Sequence, residues 1–371
     1  MNPVRRVGLA CITLLAGALG VFTCAIAAAP TPATTTDYAP VVPGRALAFP
    51  ADHGSHPDFR TEWWYVTGWL QTASGEALGF QVTFFRTRPQ VDAANPSAFA
   101  PRELVIAHAA LSDPRRGSLW HEQRIGRSGL GLAGAAPERT DVWLDRWRLS
   151  GDGTAWHTEL AGETLALSLD LAAAQPPLVN GEAGVSRKGP SPLSASWYYS
   201  LPHLRVSGTV SRGGARTETV TGSAWLDHEW SSEYLDAEAT GWDWIGINLD
   251  NGGALMAFRI RGRDGAARWA GGTLRSAQGT VRTFGPDEIR FEPGTEWRSP
   301  RTGTSYPVEW RVVAGDRTYE LRPLMQDQEN DSRLSTGAIY WEGAVTALER
   351  GARVGRGYLE LTGYGEPLRL P

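Results

Sequence analysis

From Glu62 onward, short runs of alternating apolar and polar residues are closed by Gly, Asp or Asn. Glu62–Leu70 (EWWYVTGWL) passes through Ser74-Gly75 into Ala77–Phe85, and Trp147–Leu149 turns at Gly151-Asp152-Gly153. Thr164–Leu171 alternates again, and Arg205–Val210 turns at Gly213-Gly214 into Thr217–Trp225. A two-residue period places alternate side chains on opposite faces of a strand. Turn signals spaced about 8–12 residues apart, with no sustained 3.6-residue period, predict an all-β sandwich or barrel rather than an α/β fold. Helix is expected only in short pieces, such as around Pro286–Ile289.

The pattern also repeats. Trp64–Arg86 carries an aromatic strand, a Ser-Gly turn, Ala77-Leu78 and a strand ending in Arg; Trp244–Arg261 repeats this order around an Asn-Gly turn. Tyr199–Trp230 and Ile339–Tyr364 form a second matching pair, each with a basic Gly turn before its last strand. Self-similarity in the same order predicts two copies of one antiparallel barrel, over 45–231 and 232–371. Closing each sheet on itself removes exposed strand edges.

The N-terminus changes the picture. Arg5-Arg6, an apolar run from Val7 to Ala29 and Ala-x-Ala patterns at Ala25, Ala27 and Ala29 predict a cleaved secretory signal over 1–29. A Pro- and Thr-rich leader follows over 30–44. Both cysteines, Cys11 and Cys24, fall in the signal, so the exported chain is expected to have no disulfide partner. A periplasmic or secreted location follows as an expectation. The whole chain carries a net charge of −4, with a single Lys, Lys188, and no basic stripe suited to nucleic acid. Sixteen Trp residues suit both barrel cores and the walls of an apolar ligand cavity.

Several segments carry a family resemblance. FPADHGSHPDFRTEWWYVTG (Phe49–Gly68), GEAGVSRKG (Gly181–Gly189), SWYYSLP (Ser196–Pro202), WLDHEWSS (Trp225–Ser232), GWDWIGINL (Gly241–Leu249), YWEGAV and GYLELTGYG occur in order over nearly the whole exported chain. They resemble the carotenoid 1,2-hydratase (hydroxyneurosporene synthase)/AttH family, whose members are also called secreted hydrolases. The resemblance implies two tandem lipocalin-like, calycin-type β-barrels. It implies a lipophilic small molecule as ligand, and either cofactor-free, lyase-type hydration or isomerisation of a C=C bond or a carrier role beside an ABC exporter. Hydratase members use a His-x-Trp, matched here by His228 and Trp230. They also use a Tyr-x-Asp pair on a later strand, where this chain has Leu255-Met256-Ala257-Phe258-Arg259.

Residue by residue, Asp227-His228-Glu229-Trp230 is the most informative cluster. Alternation puts Leu226, His228 and Trp230 on one face, while Asp227 and Glu229 face the other way, toward the junction of the two copies. His228 stands where the second copy has Leu361. As structure, it is a buried imidazole satisfied by a neighbour; as chemistry, it is a proton donor or ligand anchor in an apolar site. His228, Asp227 and Glu229 are therefore the candidate catalytic groups. Trp230, Trp64, Tyr65, Trp242, Trp244, Tyr198, Tyr199 and Lys188 are the candidate ligand-binding groups. Lys188 sits in the Pro- and Gly-rich stretch 172–196, which reads either as a lid over a barrel mouth or as a surface crossover. His53 and His56 are expected to cap a barrel entrance or pair with Glu62 or Asp227. Two histidines without a third ligand do not make a metal site, so no metal and no cofactor is expected. There is no Gly-x-Ser-x-Gly nucleophile elbow, no His-Glu-x-x-His, no phosphate loop and no dinucleotide fingerprint.

Overall fold

The strand Thr61–Thr72 is buried at all but one position, although its sequence is not uniformly apolar. Its two faces go to different places. Trp64, Val66 and Leu70 point into one apolar core, while Trp63, Tyr65 and Trp69 point into another. The last strand of the first half, Glu218–Glu233, divides in the same way. Ala224, Leu226 and Trp230 turn inward, and Trp225 turns outward. A strand buried on both faces needs apolar or paired residues at every position, which explains the unbroken aromatic runs. The computed structural model describes residues 38–368 except 92–94 and 98. The predicted signal segment 1–29 and most of the leader 30–44 lie outside the described residues.

The protein is all-β and antiparallel, with a lipocalin-like architecture. One 13-stranded and one 10-stranded sheet follow the same order. In each, the opening strand (Thr61–Thr72; Ala239–Leu249) pairs on one side with the strand that follows it, Ala77–Thr87 or Ala254–Gly262. On its other side it pairs with the last strand of the same half, Glu218–Glu233 or Ala352–Leu361. Two more strands extend one flank (Leu104–Ser112 and Trp120–Arg127; Ala267–Arg275 and Val281–Phe284). The penultimate long strand (Ala195–Arg212; Ala338–Glu349) and the short hairpins beyond it form the other.

The register corrects the predicted superposition by one residue. Tyr65 lies opposite Asp227, and Trp244 lies opposite Glu360. Trp244 therefore corresponds to Tyr65, not to Trp64, and a one-residue step moves a side chain to the other face of the sheet. Pro286–Ile289 forms a turn leading into strand Ile289–Pro293. Among the described residues the only helical element is a 3-10 turn, Ala51–His53.

The opening hairpin of the first half packs against the last two long strands of the second, Ala338–Glu349 and Ala352–Leu361. Trp69 Nε1 donates to Gly357 O at 3.0 Å, and His108 sits between the hydroxyls of Tyr340 (2.7 Å) and Ser335 (2.8 Å). A Cβ on Gly79 would come within 2.5 Å of Ala344 Cβ; only glycine permits that approach of the two sheets. Between the halves lies a third apolar cluster that includes Trp63, Tyr65, Trp225, Trp244, Phe258 and Tyr358.

Candidate functional site

Two polar clusters flank the strand Glu218–Glu233, one on each face. Inside the first barrel, His228 Nε2 meets Glu62 Oε1 at 2.8 Å, and its Nδ1 meets the Tyr199 hydroxyl at 3.1 Å. Glu62 also bonds His56 Nδ1 at 2.8 Å and Arg86 Nε at 2.9 Å. Arg86 closes the arrangement by donating to the carbonyls of His56 and Phe59. His53 Nδ1 reaches the same Tyr199 hydroxyl at 2.7 Å. Burial opposes ionisation of Glu62, but Arg86, His56 and His228 outweigh it and hold the carboxyl well below its usual range. Burial pushes His228 down, and it lowers His53 to about 4. His56 is raised: burial is outweighed by Glu62 and Asp52. Trp64 stacks on His228 and Trp230 stacks on His56, with ring centroids 4.7 and 3.6 Å apart.

On the opposite face, at the junction of the barrels, is a narrow cavity with about 50 Å³ available to the centre of a water molecule. Its walls are aromatic, with Trp63, Tyr65, Phe85, Trp242, Trp244 and Tyr340 among them, and four acidic residues line it: Asp227, Glu229, Glu342 and Glu360. Phe85, Trp242, Tyr340 and Glu360 also border a second apolar space of similar size, lined by Ile106, Thr362 and Leu368. Asp227 accepts from Tyr198, Ser200 and Trp225, each at 2.6 Å. Trp244 donates to the Tyr198 hydroxyl at 2.9 Å, and Trp242 to Glu360 at 3.0 Å. An ionised carboxylate is poorly solvated among aromatic walls, so burial raises Asp227 and Glu342 to about 7 and Glu360 to about 8. Burial also raises Glu229, against the pull of Lys188 at 2.7 Å.

Residues 40–364 match the AttH-like family model. The chain belongs to the AttH-like family. A protein of Nitrosomonas europaea assigned to AttH shares 54% identity with this AttH-like chain, covering 89% of it and 100% of that protein, with a TM-score of 0.83. Kievitone hydratase from Nectria haematococca shares the fold at 14% identity, with a TM-score of 0.66 over 86% of this chain and 94% of its own. CghA shares it at 12% identity, with a TM-score of 0.51 over 90% and 98%. No curated protein matches the chain.

Within this AttH-like fold the sequence candidates separate into two groups. Tyr65, Asp227, Glu229, Trp242 and Trp244 line the junction cavity. Tyr198 stands directly behind Asp227. His228, Trp230, Trp64 and Tyr199 lie inside the first barrel instead. Lys188 belongs to no lid or surface crossover. The stretch holding it contains two short strands, Leu178–Val179 and Val185–Arg187, that pair with Ala195–Arg212. Lys188 is buried against Glu229, with its ammonium over the rings of Phe258, Tyr198 and Tyr234. Of the alternatives for His53 and His56, pairing with Glu62 holds for His56, whereas the buried His53 bonds Tyr199. Sequence reasoning missed Glu342, Tyr340 and Tyr234, and left Glu360 out of the site. An acid at an outward position of an otherwise apolar strand, as in YWEGAV, was the available signal.

Lys188→Met should lower stability by about 2 kcal/mol, because Glu229 then loses its buried partner. Glu229→Gln in the same chain should restore most of it. Equilibrium denaturation of the single and double variants measures this.

The cavity acids also make stability pH-dependent. Asp227, Glu342 and Glu360 keep protons to about pH 7–8 when folded, whereas the unfolded chain releases them near pH 4. Their contribution is complete below the unfolded value and is lost as the pH rises through the folded ones. Calorimetry should therefore give a lower melting temperature at about pH 9 than at about pH 6. The Asp227→Asn/Glu342→Gln/Glu360→Gln chain should show a smaller difference. Glu62 and Asp52, both depressed, act in the opposite sense and only in strong acid.

Proposed function

We propose that the junction cavity binds a lipophilic small molecule and protonates an isolated C=C bond in it, leading to hydration or isomerisation without a cofactor. The observation that carries this reading is the presence of four acidic residues in the lining of one aromatic-walled cavity, with Asp227 raised to about 7 by burial. A carboxylic acid kept neutral near pH 7 in an apolar site is a competent general acid. Aromatic faces stabilise the cationic carbon that protonation creates. Glu229, two residues along the same strand face and ion-paired with Lys188, is the complementary base that takes a proton from the attacking water or from the adjacent carbon. The fold shared with kievitone hydratase supports the reading by analogy only.

The cavity is too narrow for a polyene as it stands. Phe85, Trp242 and Tyr340 separate it from the neighbouring apolar space, and a longer ligand enters by displacing them. The secretory pattern of the N-terminus supports a site of action outside the cytoplasm. Titrating the protein with a panel of unsaturated fatty acids and polyenes tests the reading through intrinsic Trp emission. Saturable quenching that changes little with salt is expected, because apolar burial rather than ion pairing drives association. No saturable binding by any member of the panel would overturn it.

A further inference from the structure

The polar cluster inside the first barrel is not used by this chemistry, and its geometry has a purpose of its own. His56, Glu62 and His228 each offer one donor atom within 4.8 Å of the other two. Glu62 Oε1 is 2.8 Å from His56 Nδ1 and from His228 Nε2. The remaining polar atom of each group is held from behind. Asp52 Oδ1 meets His56 Nε2 at 3.2 Å, the Tyr199 hydroxyl meets His228 Nδ1 at 3.1 Å, and Arg86 Nε donates to Glu62 Oε2 at 2.9 Å. Asp52 is itself fixed by Arg45 and by the Ala48 N–H. Three donors aimed at one point, each oriented by an outer partner, is how proteins build and tune a metal centre.

We propose that the first barrel holds one divalent transition-metal ion of the zinc type, bound by His56, Glu62 and His228. Two imidazoles and a carboxylate suit a borderline ion such as Zn²⁺. Metal–ligand bonds of about 2.0–2.2 Å place donor atoms about 3–3.5 Å apart, so each imidazole moves off Glu62 Oε1 by some tenths of an ångström, and the two nitrogens, within 4.8 Å of one another, settle to the same spacing. The charges are compatible as well. Asp52 behind one ligand and Arg86 behind another cancel, leaving the same charge as an isolated two-histidine, one-carboxylate centre. A second observation points the same way. Trp64 and Trp230, packed on the two imidazoles, each carry a buried indole N–H with no acceptor. A water or hydroxide completing the coordination would supply an acceptor there.

The position assigns a role. The ligands come from the segment after the 3-10 turn, from the opening strand and from the last strand of the half. An ion here ties the N-terminal segment to both central strands, in a closed interior with the carboxylate and one imidazole fully buried. That is a structural centre, whose binding energy adds to folding energy.

The test uses the full chain purified without chelator. Elemental analysis should find one zinc-type ion per chain, and stripping it with dipicolinate should lower the melting temperature. Reloading with Co²⁺ should give the visible absorption of a four- or five-coordinate centre. His56→Gln, a change at a partly exposed ligand that leaves Glu62 and Arg86 paired, should abolish that band, and so should His228→Leu. If no metal is retained after dialysis against Zn²⁺, and the melting temperature ignores both ion and chelator, the cluster is a hydrogen-bonded network only. A Co²⁺ spectrum that survives His56→Gln would place the ion elsewhere and equally overturn the proposal.

Discussion

Arg86→Met is expected to be the most damaging single substitution in the first barrel, at about 3–5 kcal/mol of stability. The guanidinium is 1% exposed and the Glu62 carboxylate it pairs with is fully buried. Replacing it removes the ion pair and the donors to the His56 and Phe59 carbonyls, leaving the buried Glu62 carboxylate with only His56 and His228 as partners. Removing one member of a buried pair costs far more than the pair contributes, because the other charge stays desolvated. Denaturant unfolding followed by near-ultraviolet dichroism measures the loss. A change under about 1 kcal/mol would mean that water reaches Glu62, and that the barrel interior is not the sealed environment described above.

Asp227→Asn should have the largest effect on turnover, a fall of about 10²- to 10⁴-fold with binding largely kept. Asparagine preserves the shape and still accepts from Ser200 and Trp225, but it has no proton to give. In the parent protein turnover should fall as the pH rises through about 7, where Asp227 loses its proton. With an alkene identified by the binding titration, single-turnover rates across pH on parent and variant measure both effects. An Asp227→Asn chain that retains the parent rate and pH profile would remove Asp227 from the chemistry. Glu360, at about 8, would then be the acid to replace next.

The legible and illegible parts of this chain divide by the range of the interaction. Alternation along Trp225–Trp230 assigned every side chain to its face, since a two-residue period is a local property. The His56–Glu62 contact was accessible for the same reason, being six residues apart. Lys188 was misread because its short strands carry too few residues to show alternation, and their pairing partner begins only at Ala195. The cavity was half visible. Its first-half acids stand together in one motif, whereas Glu342 and Glu360 reach it only through the docking of the second barrel. Trp64 and Trp244 looked equivalent in the repeated motif, yet a one-residue difference in register sends one into a barrel and the other into the cavity.

The strand order has a consequence for how the molecule is made. In each half the opening strand is central, and one of its two neighbours is the last strand of that half. Glu62 and His228 meet across 166 residues of chain. During synthesis the strand Thr61–Thr72 can pair with the hairpin partner that follows it at once, but its other edge stays open until Glu218–Glu233 emerges. Closing so long a loop is slow, and an unpaired apolar edge is prone to wrong partners while it waits. The second half closes over a shorter interval, with Asp243 opposite Leu361. Refolding should therefore show the first barrel as the slower unit. Even a short deletion reaching into Ala352–Leu361 should leave the second barrel with an open edge, whatever the state of the first.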